Sequence, residues 1–323
     1  MRLRPTNLIA PTPVPTGDED TTSFGGRRHD AGEPAFRILH GFSLIEILVV
    51  VALLSVIILG LLAMFDQTKR AFTTGLTQVD VLESGRAAME MMTRELSQMV
   101  SAPYDSNAVT FYAEIAPVSP LLQPLPGNNP EPRRNFLSEM FFLTRETNTW
   151  KGIGYWVGAP DTGNSGAAAL NGWGTLYRYQ TNTTFRAVPA HPWQLHALYY
   201  NFNTRTQRMN RIIDGVVHFK VRAFDPSGVW ITNNLAATNS EVRPIELSTF
   251  ALNEVEFYRF TNNAVPAFVE LELGVLEQRA LARLQSIPDP VARRNYLEEQ
   301  VGRVHVFRTR VPIRNVDPSV YRR

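Results

Sequence analysis

A single carboxylate stands inside a stretch that otherwise carries no charge. Glu46 follows Gly41, Phe42, Ser43, Leu44 and Ile45, and leads into the uncharged apolar run Ile47 to Phe65. That run is about nineteen residues long; at ~1.5 Å per helical residue it covers roughly 28 Å, close to a bilayer's hydrocarbon thickness. An unpaired charge in such a segment costs on the order of 3 kcal/mol, so the chemistry Glu46 invites is pairing with a cation brought to it. A plain signal-anchor helix would instead leave Glu46 at the headgroup boundary with no partner.

Other residues could do chemistry by type but not by context. Asp161-Thr162-Gly163 is the triplet of aspartic proteases, which sits at the end of an apolar strand beside a second aspartate. Here Gly158-Ala159-Pro160 precedes it and Asn164-Ser165-Gly166 follows, which is turn chemistry. His191 and His196 bracket Pro192-Trp193-Gln194 at a spacing that shares no helix or strand face, and they read as loop histidines rather than metal ligands. Glu270 and Glu272 share one strand face and read as its solvated side rather than as an acid and base pair. No Gly-rich phosphate loop and no His-Glu-x-x-His motif occurs, and no convergent oxygen set for calcium stands out. No catalytic, cofactor-binding or metal-ligating residue is expected.

The 323 residues suffice for one large or two small domains. A net charge of +2 and the lack of a basic stripe interleaved with aromatics give no support to nucleic-acid binding. Cysteine is absent, which excludes disulfides, thiolate metal sites and thiol nucleophiles.

Residues 1–41 have the composition of a processed leader: Pro5, Pro11, Pro13 and Pro15, then Asp18, Glu19 and Asp20, with Arg27, Arg28, Arg37 and His40 nearer the apolar run. Positive charge on that side favours a cytoplasmic N-terminus, although Lys69 and Arg70 beyond the run oppose it. After Phe65, Phe72, Leu76, Val79, Leu82, Met89, Met92, Leu96 and Met99 recur at three, four or seven residues, one stripe of a helix. The pattern predicts one long helix from Phe42 to about Val100, closed by Pro103, with bending at Gly75 and Gly85.

From Tyr104 the period changes to two. Strands are expected at 109–115, 139–143 and 154–157, separated by long loops at Pro117 to Pro132 and Ala159 to Gly174. The clearest strand is 212–224, with Val217, Phe219, Val221 and Ala223 on a buried side and His218, Lys220 and Arg222 on a wet one. Asp225-Pro226-Ser227-Gly228 would then turn the chain into a second hairpin strand, Val229-Trp230-Ile231. A strand at 266–273, helices at 277–286 and 291–301, and a last strand at 304–311 complete an α+β order.

Gly41-Phe42-Ser43-Leu44-Ile45-Glu46 resembles the cleavage and N-methylation site of type IV prepilins and of the pseudopilins of type II secretion systems. The resemblance implies cleavage by a prepilin peptidase between Gly41 and Phe42 and N-methylation of Phe42. It also implies an assembly role for Glu46, paired with the Phe42 ammonium of a neighbouring subunit. The leader is longer than is usual for the family; translation from a later start would shorten it, and cleavage would erase the difference. Ile213-Asp214-Gly215-Val216, Val265-Pro266-Ala267-Phe268-Val269-Glu270-Leu271 and Phe307-Arg308-Thr309-Arg310-Val311-Pro312-Ile313 look like the J-type minor pseudopilin of type II secretion. The helices between 277 and 301 look like an insertion relative to that family, and 104–208 resembles nothing familiar.

The implied fold is pilin-like, a long N-terminal helix packed on an antiparallel sheet domain. The implied division is 1–41 leader, 42–66 transmembrane and assembly helix, 67–102 its amphipathic continuation, and 103–323 a periplasmic domain. The implied partners are the peptidase, other minor and major pseudopilins, the inner membrane and secreted cargo, with no nucleic acid and no enzyme activity. A minor type IV pilin for adhesion, motility or DNA uptake, and a membrane-anchored binding protein that never polymerises, are the alternative readings.

Overall fold

The computed structural model describes residues 43–116, 121–125, 131–147, 149–184, 192–234, 237–244 and 254–321, except the side chains of residues 74, 76, 77 and 184. The expected leader 1–41, Gly41 and Phe42 lie outside them. The chain divides into two compact units, Met1–Leu62 and Ala63–Arg323.

In the first unit the described residues form the N-terminal part of helix α1 (Leu44–Leu96), and all of its side chains are exposed. Ser55 donates its hydroxyl to the Val51 carbonyl at 2.8 Å. The helix thereby satisfies its own polar side chain, which lowers the cost of placing it in hydrocarbon.

The second unit holds the rest of α1 and every other element. Its nine-stranded sheet is built from β1 (Val109–Ile115), β4 (Ser138–Glu146), β5 (Thr149–Gly158), β6 (Gly174–Thr184), β7 (Met209–Phe224), β8 (Ser240–Pro244), β9 (Val255–Thr261), β10 (Phe268–Leu276) and β11 (Val304–Pro312). The order is β11-β10-β7-β6-β5-β4-β1-β9-β8, and all neighbours are antiparallel. A small hairpin pairs β2 (Leu121–Gln123) with β3 (Arg133–Asn135). Short helices α2 (Ser165–Asn171), α3 (Trp193–Tyr200), α4 (Phe202–Gln207), α5 (Gln278–Ser286) and α6 (Pro290–Glu299) complete it.

Adjacent aromatic pairs explain how the sheet sits between two layers. In Phe111-Tyr112, Phe141-Phe142 and Tyr155-Trp156 the alternation of strand side chains sends one ring to each face. Phe111, Phe142 and Tyr155 join Met92 and Leu96 of α1 on one side. Tyr112, Phe141 and Trp156 join Leu195 and Tyr199 of α3 on the other. A third cluster gathers Trp173, Val217 and Leu276 with Leu281, Leu284 and Leu297 of α5 and α6.

The buried stripe of α1 starts at Val81 and runs through Ala88, Met89, Met92 and Leu96. Phe72 and Val79, read in the same stripe, are exposed. Gly85 lies under the Phe307 ring of β11, so close that a Cβ would come within 2.2 Å of it. This glycine serves a close approach rather than a bend.

The structure departs from the sequence reading in several places. Helix α1 ends at Leu96 rather than near Val100, because Met99 bridges Thr144 and the Val100 N–H donates to the Leu143 carbonyl at 3.0 Å. The ladder of β4 captures the chain before Pro103 is reached. The stretch after the Asp225 turn is no strand: Trp230 makes one isolated bridge to Phe224. The turn itself forms as read, with Gly228 at φ 81°. The expected long loop at 159–174 contains α2, whose Asn164 side chain caps the Ala167 N–H and whose C-terminal Gly172 adopts φ 75°.

The largest difference concerns the polar side of β7. His218 and Lys220 are only 4% and 6% exposed rather than wet. Phe136 covers them: its N–H donates to His218 Nδ1 at 3.1 Å, and the Lys220 ammonium lies 5.1 Å from its ring centre. Glu254 pairs with both Lys220 and Arg222. Buried polar groups are tolerated because each finds a partner.

Candidate functional site

Helix α1 opens on Ser43, whose carbonyl accepts from the Glu46 N–H at 2.9 Å and the Ile47 N–H at 3.2 Å. Glu46 therefore sits in the first helical turn, where the positive end of the helix dipole favours a carboxylate. Leu44, Ile45, Ile47 and Leu48 surround it, each more than half exposed. Among the described residues none pairs with the Glu46 side chain. The helix is long and apolar enough to cross a membrane, and none of its most apolar stretch is buried. Apolar surface of that extent without protein cover is suited to lipid or to other helices.

Residues 40–62 match the model of the prokaryotic N-terminal methylation motif. This motif indicates a type IV pilin-like or pseudopilin protein. It implies processing by a prepilin peptidase and assembly with other pilin subunits. The family it marks is structural rather than enzymatic. Together, one N-terminal apolar helix and a prepilin motif fit a single-pass inner-membrane protein. No curated protein matches the chain.

The remaining candidates scatter over the second unit. Asp161 is exposed, in a turn at the end of β5 closed by the Gly163 N–H to the Ala159 carbonyl at 2.8 Å. The Gly163 carbonyl accepts from Trp156 Nε1 at 2.8 Å, so the Asp-Thr-Gly triplet anchors a turn. His191 lies outside the described residues. His196 sits on α3 in an aromatic box, 4.8 Å from Tyr112 and 5.3 Å from Phe141 between ring centres. Burial first, then the charge of Arg259, pulls its pKa down to about 4. Among the described residues no three His, Cys, Asp or Glu side chains gather as a metal site.

Glu270 and Glu272 are not a solvated face. Glu270 is buried and bound by Arg308 at 2.7 Å and Arg310 at 3.4 Å, both from β11. His218 lies 3.3 Å from Glu272, and its hydrogen bond, the largest influence, holds that carboxyl down at about 2. These groups tie β7, β10 and β11 together as a polar ladder.

Sequence reasoning missed a second polar cluster, around Glu114 of β1, Glu139 of β4 and Arg205 of α4. Glu114 and Glu139 face each other in the β1–β4 register. Arg205 Nη1 donates to Glu139 Oε2 at 2.8 Å, and its guanidinium lies 4.7 Å from the Trp156 ring and 5.2 Å from that of Tyr199. The three residues come from separated stretches, and no local spacing announces them.

Proposed function

We propose that this chain is a minor pseudopilin of a type II secretion pseudopilus, of the J type. It is held in the inner membrane with residues 103–323 in the periplasm, cut between Gly41 and Phe42, methylated on Phe42, and assembled through Glu46. The observation that carries the reading is the carboxylate in the first turn of an uncovered apolar helix, within the matched motif at 40–62. A Phe42 ammonium from the next subunit would offset the cost of that charge in hydrocarbon.

The secretion assignment is supported by the neighbourhood of three segments. Ile213–Val216, Val265–Leu271 and Phe307–Ile313 fall on or beside β7, β10 and β11, which are adjacent in the sheet. They therefore act as one structural block rather than as scattered likenesses.

N-terminal mass analysis of the protein from native membranes, with and without the cell's prepilin peptidase, tests the processing. The expected product is a chain beginning at methylated Phe42 only when the peptidase is present; an uncut chain retaining Gly41 would overturn the filament reading. Co-purification with the other pseudopilins is then expected, and co-purification with type IV pilins alone would move the chain to a different machine.

A further inference from the structure

The two edges of the sheet are built differently. β8 has five residues, shifts register against β9 between Arg243 and Pro244, and ends on a proline with no N–H to offer. Such features blunt an edge against further pairing. β11, at the other edge, has nine residues, all paired with β10 in one unbroken register from Val304 to Pro312. Among the described residues no strand lies beyond it.

Which backbone groups β11 leaves free follows from its ladder. The Ile313 N–H donates to the Ala267 carbonyl at 2.9 Å. In an antiparallel pair the bonded residues alternate, so His305, Phe307, Thr309 and Val311 bond to β10, and Val306, Arg308 and Arg310 turn their N–H and C=O groups outward. The far side of β10 agrees. The Ala223 carbonyl of β7 accepts from the Ile231 N–H, away from β10, so Val269 opposite it is left to bond Val311 of β11.

Charge decides what can pair there. Arg308 and Arg310 stand opposite Glu272 and Glu270 of β10. The carboxylates are covered, with side chains 19% and 6% exposed, whereas the guanidiniums are 59% and 42% exposed. A guanidinium has five donors, and the contacts with Glu270 and Glu272 use only part of them. Arg303 and Arg314, both exposed, flank the strand and extend the positive rim. A second copy laid antiparallel and centred on this edge would set arginines against arginines, and opposed like charges are destabilising. β10 itself displays the pattern that suits β11. In Val269-Glu270-Leu271-Glu272-Leu273 a carboxylate meets each arginine, and the apolar residues between them join the core on the α1 side.

We propose that the outer edge of β11 pairs with an extended acidic segment of a partner protein. Carboxylates at alternate positions of that segment meet Arg308 and Arg310, and its backbone continues the sheet as a further strand. The arginines thus bar self-pairing and admit an acidic strand. The inference does not rest on the filament reading.

The test is calorimetric titration of the full chain in detergent micelles with the peptide acetyl-Ser-Val-Glu-Leu-Glu-Leu-Ser-amide, and with versions carrying glutamine or lysine in place of both glutamates, empty micelles serving as the blank. Saturable one-to-one binding of the glutamate peptide is expected, about tenfold weaker for the glutamine version, absent for the lysine version, and weakened by added salt. Hydrogen exchange read residue by residue should slow at the Val306, Arg308 and Arg310 amides when the peptide is bound, whereas Phe307 and Thr309 are protected already in the free chain. Val306→Pro removes one outward N–H and leaves the β10 ladder whole, since proline is tolerated on the solvent side of an edge strand. Its melting temperature should stay near that of the natural chain while affinity falls about tenfold or more. Arg310→Gln leaves Glu270 paired with Arg308, should weaken binding several-fold, and serves even if the proline variant folds poorly. No saturable binding of the glutamate peptide, equal affinity for the glutamine or lysine version, binding without amide protection, or unchanged affinity in both variants would overturn the proposal. Protection of the same amides that rises with protein concentration and needs no peptide would overturn it in favour of a second copy.

Discussion

Glu95 of α1 and Arg178 of β6 form a forked ion pair, Nη2 to Oε1 at 2.7 Å and Nε to both carboxylate oxygens at 3.1 Å. Tyr155 of β5 donates its hydroxyl to the same carboxylate. One helix side chain thus satisfies groups on two neighbouring strands, with both ion-pair partners about five-sixths buried. Removing the carboxylate strips a largely buried guanidinium of its counter-charge, which costs more than the pair itself contributes. Glu95→Ala is expected to lower unfolding free energy by about 2–3 kcal/mol, and Glu95→Gln by less, since the amide oxygen still accepts. Urea unfolding of the full chain in detergent checks this; a loss below about 0.5 kcal/mol would mean that the pair does not fasten α1 to the sheet.

Gly85 and Phe307 make the second fastening, by shape rather than charge. A side chain at 85 must displace the Phe307 ring from α1. Although valine has better helix propensity than glycine, overpacking at a close contact costs typically 1–3 kcal/mol. Gly85→Val should therefore destabilise by about 1–2 kcal/mol. Adding Phe307→Ala to that variant should recover part of the loss, and additive effects in the double-mutant cycle would show that the ring is not the obstacle.

The pH dependence of stability follows from His196. Its pKa in the folded chain is about 4, whereas the unfolded chain takes up the proton near the ordinary 6.5. Between those values the unfolded state binds more protons, so stability falls as pH drops from about 6.5 towards about 4, by up to about 3 kcal/mol from this residue. His218, also lowered chiefly by burial, acts in the same direction. His196→Phe keeps the aromatic packing and removes the titration, so melting curves at pH 7 and pH 4.5 should lie closer together than for the natural chain. An unchanged gap would assign the acid sensitivity elsewhere.

How much of this architecture could be read from the chain depends on where each residue's neighbours lie. The apolar run at 47–65 and the alternation at 217–223 are local patterns, and α1 and β7 follow from them. The helices α5 and α6 are equally readable, with Pro288 and Pro290 marking the break between them. Strand β6 was missed although Tyr177, Tyr179 and Thr181 alternate with Leu176, Arg178 and Gln180. With Glu95 pairing Arg178 on one side and Tyr199 packing against Tyr179 on the other, its polar and apolar residues do not sort by face. The wet side assigned to His218 and Lys220 was wrong because its cover, Phe136 and Glu254, arrives from distant segments. Glu46 was visible because its oddity is local: one charge in an apolar helix. Glu114 and Glu139 were not, since only the β1–β4 register makes them a pair.

That locality makes Glu46 the sharpest test of assembly. The proposed cleavage point lies between Gly41 and Phe42, whereas Glu46 projects from the first turn of α1 among exposed apolar side chains. If its role is to meet a neighbouring subunit's terminal ammonium, the carboxylate matters after processing and not during it. Glu46→Ala should leave cleavage largely intact, with the mature chain still beginning at Phe42, because the residue is not at the scissile bond. It should strongly reduce recovery of other pseudopilins in a pull-down, since the incoming ammonium would then be unpaired in hydrocarbon, at a cost of several kcal/mol. Glu46→Asp keeps the charge but shortens the reach by one methylene, so intermediate recovery is expected. Normal co-assembly of the alanine variant would remove the pairing argument and leave the carboxylate to the headgroup boundary.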